Sequence, residues 1–290
     1  MKILVSTDTS CLVNYEVLKK YEISVFPLNV IIDGEEYLDG VTINQDQLKD
    51  AMRGGKNIKT STPPLGEIID YFENLFAKGY EKIIHFTISS KLSSMYELFK
   101  NVAEQNFKDK LVVVDSYALS SNMLSHVFYA YDEIAKGTPI EEIASVIENG
   151  RNKMGSFVFI PENLTALKNG GRISPTVALI GNTIGIKPVI VLKDGALEKD
   201  GIIKNVKRAM IDALDLGLKE FPKEEYDYTI INFDCNEKVA QYVYDYADNL
   251  LGGEYIKGVV PINACAHCGP GTIGVVVSPK INGKSLIEFL

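Results

Sequence analysis

The chain has 290 residues, 46% of them hydrophobic, enough apolar material for two cores of ordinary domain size. Its net charge of −8 comes with no block of lysines or arginines, which speaks against a nucleic-acid partner or an anionic membrane surface. The apolar run after Met1 is too short for a secretory leader, and no run approaches the roughly 18 apolar residues that cross a bilayer, so a cytoplasmic location without membrane insertion is expected. Cys11, Cys235, Cys265 and Cys268 have no framework spacing and are expected to be reduced thiols.

In chain order, Lys2 to Val5 reads as a buried strand feeding the polar loop S-T-D-T-S at 6–10. Ile23 to Ile32 is a second β-rich run, and Pro27 inside it predicts an edge or bulged strand before the D-G turn at 33–34. Asn44 opens a short helix to about Arg53. The hydroxyl cluster K-T-S-T-P-P at 59–64 then precedes Leu65, Ile68, Ile69, Phe72, Leu75 and Phe76, the spacing of a one-sided helix. Ile83 to Ile88 is a strand running into S-S-K-L-S-S, followed by a helix with Leu92, Met95, Phe99 and Val102 on its apolar side. Leu111 to Val114 ends in Asp115 and Ser116, with helices to about Lys136 and from Ile140 to about Lys153.

Apolar strands alternating with helices predict an α/β architecture. The N-terminal domain, 1–155, is expected to be Rossmann-like, a parallel sheet with helices on both faces. Ligands of such sheets bind at the carboxyl ends of the strands, where the loops at 7–10, 87–93 and 115–116 gather, joined by 60–62.

After Ser156 the rhythm becomes more irregular, predicting a smaller C-terminal α/β (α+β) domain over 156–290. Its strands are Phe157 to Ile160, Lys187 to Leu192, Tyr228 to Phe233, Tyr255 to Ile262 and Ile273 to Ser278. Its helices are Glu162 to Lys168, one from about Asn205, and Glu237 to Leu251. Between the first helix and the second strand, residues 167–188 combine Gly170-Gly171, Arg172, a Ser174-Pro175 helix start and the further motif residues Gly181, Gly185 and Lys187. A tight turn, an exposed cation and helix-start amides suit a phosphate or a visiting partner.

Of three histidines, His267 lies in A-C-A-H-C-G-P-G, between small residues and a turn, and is read as functional. His85 and His126 lie in apolar runs and are read as structural. Cys265 and Cys268 bracket His267 as C-x-x-C. Zinc needs about four ligands and no second pair exists, while a thioredoxin-like pair opens a helix, so small buried thiols are the expected reading. The hydroxyls at 60–62 and 89–94 read either as plain helix caps or as a cradle for a carboxylate or phosphate. The nucleotide-binding glycine motifs and G-x-S-x-G are absent. Acidic pairs such as Glu35-Glu36 read as solvated surface.

Taken together, T-D-T-S at 7–10, K-T-S-T-P-P-L-G-E at 59–67, I-S-S-K-L-S-S-M-Y at 88–96, V-V-D-S at 113–116, G-G-R-I-S with I-G-N-T-I-G-I-K-P within 170–188, and H-C-G-P-G-T-I-G at 267–274 resemble the DegV family, the bacterial fatty-acid-binding subunits of fatty acid kinase. The resemblance spans nearly the whole chain. It implies a single long-chain fatty acid held between the two domains, its carboxylate near Thr60, Ser61, Ser93 and His267. It also implies a carrier rather than an enzyme, with no cofactor of its own, presenting the carboxylate to the catalytic subunit of a fatty acid kinase. Arg172 and Lys207 are then candidates for the partner or phosphoryl contact, and apolar residues within 176–186 for the lipid wall.

The sequence departs from the family pattern at Ser94 and Met95, where Gly-Thr is usual, in D-S-Y-A-L-S-S-N after the D-S motif, and in N-F-D-C near Asn232. An enzyme acting on a small acyl or phosphorylated substrate, with His267 as base and Arg172 as anion clamp, is the competing expectation.

Overall fold

The computed structural model describes residues 2–11, 15–150, 155–162, 164–173 and 186–290. The helix start at Ser174-Pro175, Gly181, Gly185 and the apolar residues 176–185 lie outside the described residues.

A four-stranded parallel sheet forms the first half, in the order β2 (Ser24–Phe26), β1 (Ile3–Asp8), β6 (Lys82–Thr87) and β7 (Leu111–Asp115). Successive side chains of a strand face opposite ways. Leu4 and Ile83 thus join the core on one side, under helices Leu65–Ala77 and Met95–Asn106, while Val5 and Ile84 join that on the other, under helices Ser120–Lys136 and Ile140–Asn149. Helices cover both faces, as the continuous apolar runs predict.

Pro27 does more than bulge a strand. It has no N–H for the ladder, and the chain leaves the parallel sheet there. The next amide, Leu28 N–H, bonds Thr9 Oγ1 at 3.1 Å. The expected single run Ile23 to Ile32 is therefore two strands. The second, β3 (Asn29–Ile32), sits at the centre of a separate antiparallel sheet between β4 (Glu35–Leu38) and β5 (Ile58–Ser61). The hydroxyl cluster expected at a helix start is likewise corrected. Thr60 and Ser61 end a strand, and the following helix begins at Leu65 after Pro63-Pro64 with no side-chain cap.

The second half is built on a six-stranded mixed sheet, in the order β10 (Ala196–Ile203), β9 (Lys187–Lys193), β8 (Ser156–Ile160), β13 (Thr272–Pro279), β11 (Tyr226–Phe233) and β12 (Ile256–Val259). Of its pairings only β11 with β12 is parallel. One face carries Ile230, Val275 and Val277 against helices Val206–Glu220 and Glu237–Leu251. The other turns Phe157, Phe159, Ile231 and Phe233 toward the first half, into the same core as Leu4 and Ile83. Three elements differ from expectation: β10 was not anticipated, the short helix is Thr165–Asn169, and the expected strand to Ile262 stops at Val259, giving way to helix Ile262–Cys268.

Candidate functional site

Two acidic residues at strand ends hold the loops of the parallel sheet together. Asp8 closes β1, and its carboxylate accepts from Ser10 N at 2.7 Å and from Ile88 N at 2.8 Å. Asp115 closes β7 and accepts from Ser90 N at 3.0 Å and Tyr117 N at 3.1 Å. Each thus ties its own loop to the one after β6. Burial pushes the Asp8 carboxyl up to about 6. The second half locks on from above. Ser89 Oγ donates to the carbonyl of Gly195, in the β9–β10 turn, at 2.7 Å.

A cavity enclosing about 850 Å³ of atom-free space, its mouth included, lies between these loops, the β3–β5 sheet and the inner face of the mixed sheet. Most of the wall is apolar, with Leu28, Ile88, Leu92, Met95, Leu119, Phe157, Phe159, Leu167, Leu197 and Ile231 contributing. Thr60, Ser61, Ser93, His267 and Arg172, far apart in sequence, all line it. Lys207 does not; its ammonium lies 4.6 Å from the ring centroid of Tyr242.

Two of the polar residues are bonded to each other. His267 Nε2 is 2.9 Å from Thr60 Oγ1. Burial, with the Arg172 cation adding to it, lowers the His267 pKa to about 4, so the ring is neutral at neutral pH. Arg172 Nε donates to the Leu92 carbonyl at 3.2 Å and Nη1 to that of Gly170. No carboxylate pairs with Arg172 among the described residues. Ser93 Oγ accepts from Met95 N at 3.4 Å, which leaves its proton for a ligand. Ser61 differs: its hydroxyl donates to the exposed Glu36 at 3.2 Å and must leave that carboxylate to serve another. Hydroxyls, a neutral imidazole and a cation make a set suited to an anionic head group in an apolar setting.

Sequence reasoning missed two asparagines in the wall. Asn263 donates from Nδ2 to Thr9 Oγ1 at 3.3 Å and Ser10 Oγ at 3.2 Å, and its backbone N–H bonds the Asp39 carboxylate at 3.0 Å. Asn29, opposite Ser61 in the β3–β5 ladder, gives its amide N–H to Glu36 at 2.6 Å. Neither stands in a motif that marks it. His85 and His126 are buried as expected, and burial lowers both.

Gly170 sets where the His267 ring sits. A Cβ there would fall 2.4 Å from His267 Nδ1, yet the backbone is ordinary right-handed helix with φ −73°. Gly170→Ala is therefore expected to leave the fold intact and push the imidazole off Thr60. Titration with an anionic amphiphile should show about tenfold weaker binding, with the melting temperature within a few degrees of the parent's.

The chain matches the model of the DegV family, described as uncharacterised protein, DegV family, over residues 2–280. It is 30% identical over 285 residues to a DegV domain-containing protein of Staphylococcus aureus, covering 96% of this chain and 99% of that one. Among solved structures it resembles a stearic-acid-binding protein of Eubacterium ventriosum, with 25% identity, TM-score 0.82, and coverage of 97% and 99%. It also shares the fold of DegV, a fatty acid binding protein from Bacillus subtilis, with 22% identity, TM-score 0.84, and coverage of 97% and 100%. With a family model spanning nearly its whole length, the chain belongs to the DegV family.

Proposed function

We propose that this chain binds one long-chain fatty acid in the cavity and presents its carboxylate to a partner kinase for acyl phosphate formation. The observation that carries the reading is a cavity whose apolar wall is interrupted by Thr60, Ser93, His267 and Arg172. Burying about a dozen methylenes at roughly 0.8 kcal/mol each offers on the order of 10 kcal/mol gross. An unpaired buried carboxylate costs several kcal/mol, so the lipid needs donors where its head comes to rest. Thr60, Ser93 and His267 are assigned that role directly, and Ser61 once it turns from Glu36. That proteins sharing this fold bind fatty acids supports the choice of ligand.

In this reading the chain is a cytoplasmic carrier that works without a cofactor, and phosphoryl transfer belongs to the kinase. Residues 1–155 and 156–290 act as the two domains, closed over the lipid. Arg172, held by two carbonyls, keeps its charge available for the incoming phosphoryl group. Lys207 is assigned to the docking surface away from the cavity.

Native mass spectrometry of protein from a bacterial host should show a bound species of about 300 Da, the mass of a long-chain fatty acid and in the range of ordinary small-molecule ligands. Solvent extraction should release it as a fatty acid. Ser93→Ala and His267→Ala are expected to weaken binding about tenfold each, whereas Arg172→Ala spares binding and lowers kinase-dependent acyl phosphate formation. Equal lipid binding by all three variants would refute the assignment, and turnover of an acyl substrate by the isolated chain would overturn the carrier role.

A further inference from the structure

Helix Ile262–Cys268 carries chemistry that lipid retention leaves unused. Cys265 and Cys268 are buried free thiols three residues apart, on one helix face. Cys268 lines the cavity beside His267. Cys265 sits behind it, its Sγ donating to the Val260 carbonyl at 3.3 Å. The helix stops at once after Cys268, where Gly269 and Gly271 take φ of +75° and +95° and Thr272 Oγ1 donates to the Cys268 and Gly269 carbonyls. Burial pushes the Cys265 thiol well up. Cys268 lines the cavity and Cys265 does not, so Cys268 is the thiol that a molecule inside the cavity meets first.

We propose that Cys265 and Cys268 are a redox modification site, oxidised to a disulfide by a hydroperoxide that enters the cavity, and that this disulfide and a bound fatty acid exclude one another. The second half rests on the lipid-binding reading above. In the first step the Cys268 sulfur attacks a peroxide oxygen and the O–O bond breaks. A sulfenic acid forms, and the departing oxygen leaves as alcohol, or as water from hydrogen peroxide, taking the thiol proton. The Cys265 sulfur then displaces hydroxide from the sulfenic sulfur, and its own proton completes a water. Two thiols and one hydroperoxide become one disulfide, one alcohol and one water.

Exclusion follows from geometry. Cβ atoms three residues apart on a helix are about 5–6 Å apart, and a disulfide draws them to about 3.8 Å, so the last turn must tighten around His267. That ring has no slack, because Gly170 leaves no room for even a methyl on one side and Thr60 holds Nε2 at 2.9 Å on the other. Tightening removes a head-group donor. Conversely, an acyl chain lying over Cys268 shields it from the oxidant.

The test uses the full chain carrying Cys235→Ser, which removes the half-buried thiol outside the cavity. Delipidated protein treated with hydrogen peroxide should lose two thiols and the mass of two hydrogen atoms. Adding Cys265→Ser should halt the reaction at a sulfenic acid that dimedone traps. Oleate-loaded protein should oxidise at least about tenfold more slowly, and oxidised protein should bind oleate about tenfold more weakly until dithiothreitol restores it. Persistent thiols, direct passage of Cys268 to sulfinic acid, or equal rates with and without oleate would each overturn the proposal. A chain that takes up no oleate sinks the lipid reading and the exclusion with it, while disulfide formation decides the redox site independently.

Discussion

Gly155→Ala is expected to destabilise the chain by at least about 3 kcal/mol, among the largest effects of a single methyl group. Gly155 has φ +81°, a conformation that strains any residue with a Cβ. Its added Cβ would also fall 2.0 Å from the carbonyl oxygen of Val277 and 2.8 Å from the carbonyl carbon. These are backbone atoms of β13, which is paired to β8 on one side and β11 on the other. No side chain can swing aside to relieve the clash. Either β13 shifts and loses ladder bonds, or β8 enters the sheet displaced from its first pairing, Ser156 with Val277. Gly171 is the control: φ is +68° but nothing lies within 4 Å of its would-be Cβ, so Gly171→Ala carries only the backbone strain, about 1 kcal/mol. Urea denaturation midpoints compare the two, and equal losses would show that crowding against β13 contributes nothing.

The position of Gly155 bears on how the two halves join. It stands where the chain passes from the last helix of the parallel-sheet unit, Ile140–Asn149, into β8. The two halves are not separate beads. Phe157, Phe159 and Ile231 pack into the same core as Leu4, Ile83 and Phe99. The cavity is a gap in that shared middle layer. Its shape thus depends on how the mixed sheet settles on the first half, which the Ser89–Gly195 bond fixes at one edge and the Asn263 bonds to Asp39, Thr9 and Ser10 fix deeper in.

What the sequence makes legible follows from where energy is concentrated. Runs such as Ile83-Ile84 and Val112 to Val114 bury apolar side chains on both faces, so period and composition reveal the parallel sheet. His267 stands out because its neighbours are too small to form a core stripe, and the structure places it against Thr60. The β3–β5 sheet is harder to read. β5 is I-K-T-S, only partly buried, and its strand character comes from pairing to Asn29–Ile32 rather than from its own side chains. Thr60 and Ser61 therefore resemble helix caps until that partner is known. Asn29 and Asn263 are invisible for the same reason, since their roles rest on partners up to 254 residues away. β10 has a solvated, charged stretch and owes its pairing to the D-G turn before it.

Asp39→Asn is expected to stabilise the chain increasingly as pH rises from about 4 to about 7, and to change little below that window. Asp39 is buried, 4% exposed, and burial above all raises its carboxyl from 3.8 to about 7, with hydrogen bonds from Asn263 and Thr9 only partly offsetting this. Between those two values the folded chain keeps a proton that the unfolded chain has released. Stability therefore falls as pH climbs, because the native state binds more protons there. Below the window both states are protonated and the penalty vanishes; above it the penalty is complete, with a ceiling on the order of 4 kcal/mol from the conversion of pKa to free energy. Asparagine resembles the protonated acid in shape. Its oxygen still accepts from Asn263 N, now 3.0 Å from the carboxylate. Denaturation of both proteins at a series of pH values isolates the contribution, since titrations elsewhere in the chain cancel in the difference. A difference that stays constant from pH 4 to 8 would mean that Asp39 ionises freely where it sits. The sloping result would identify a carboxyl held under strain at neutral pH, directly behind the backbone of the asparagine that lines the cavity.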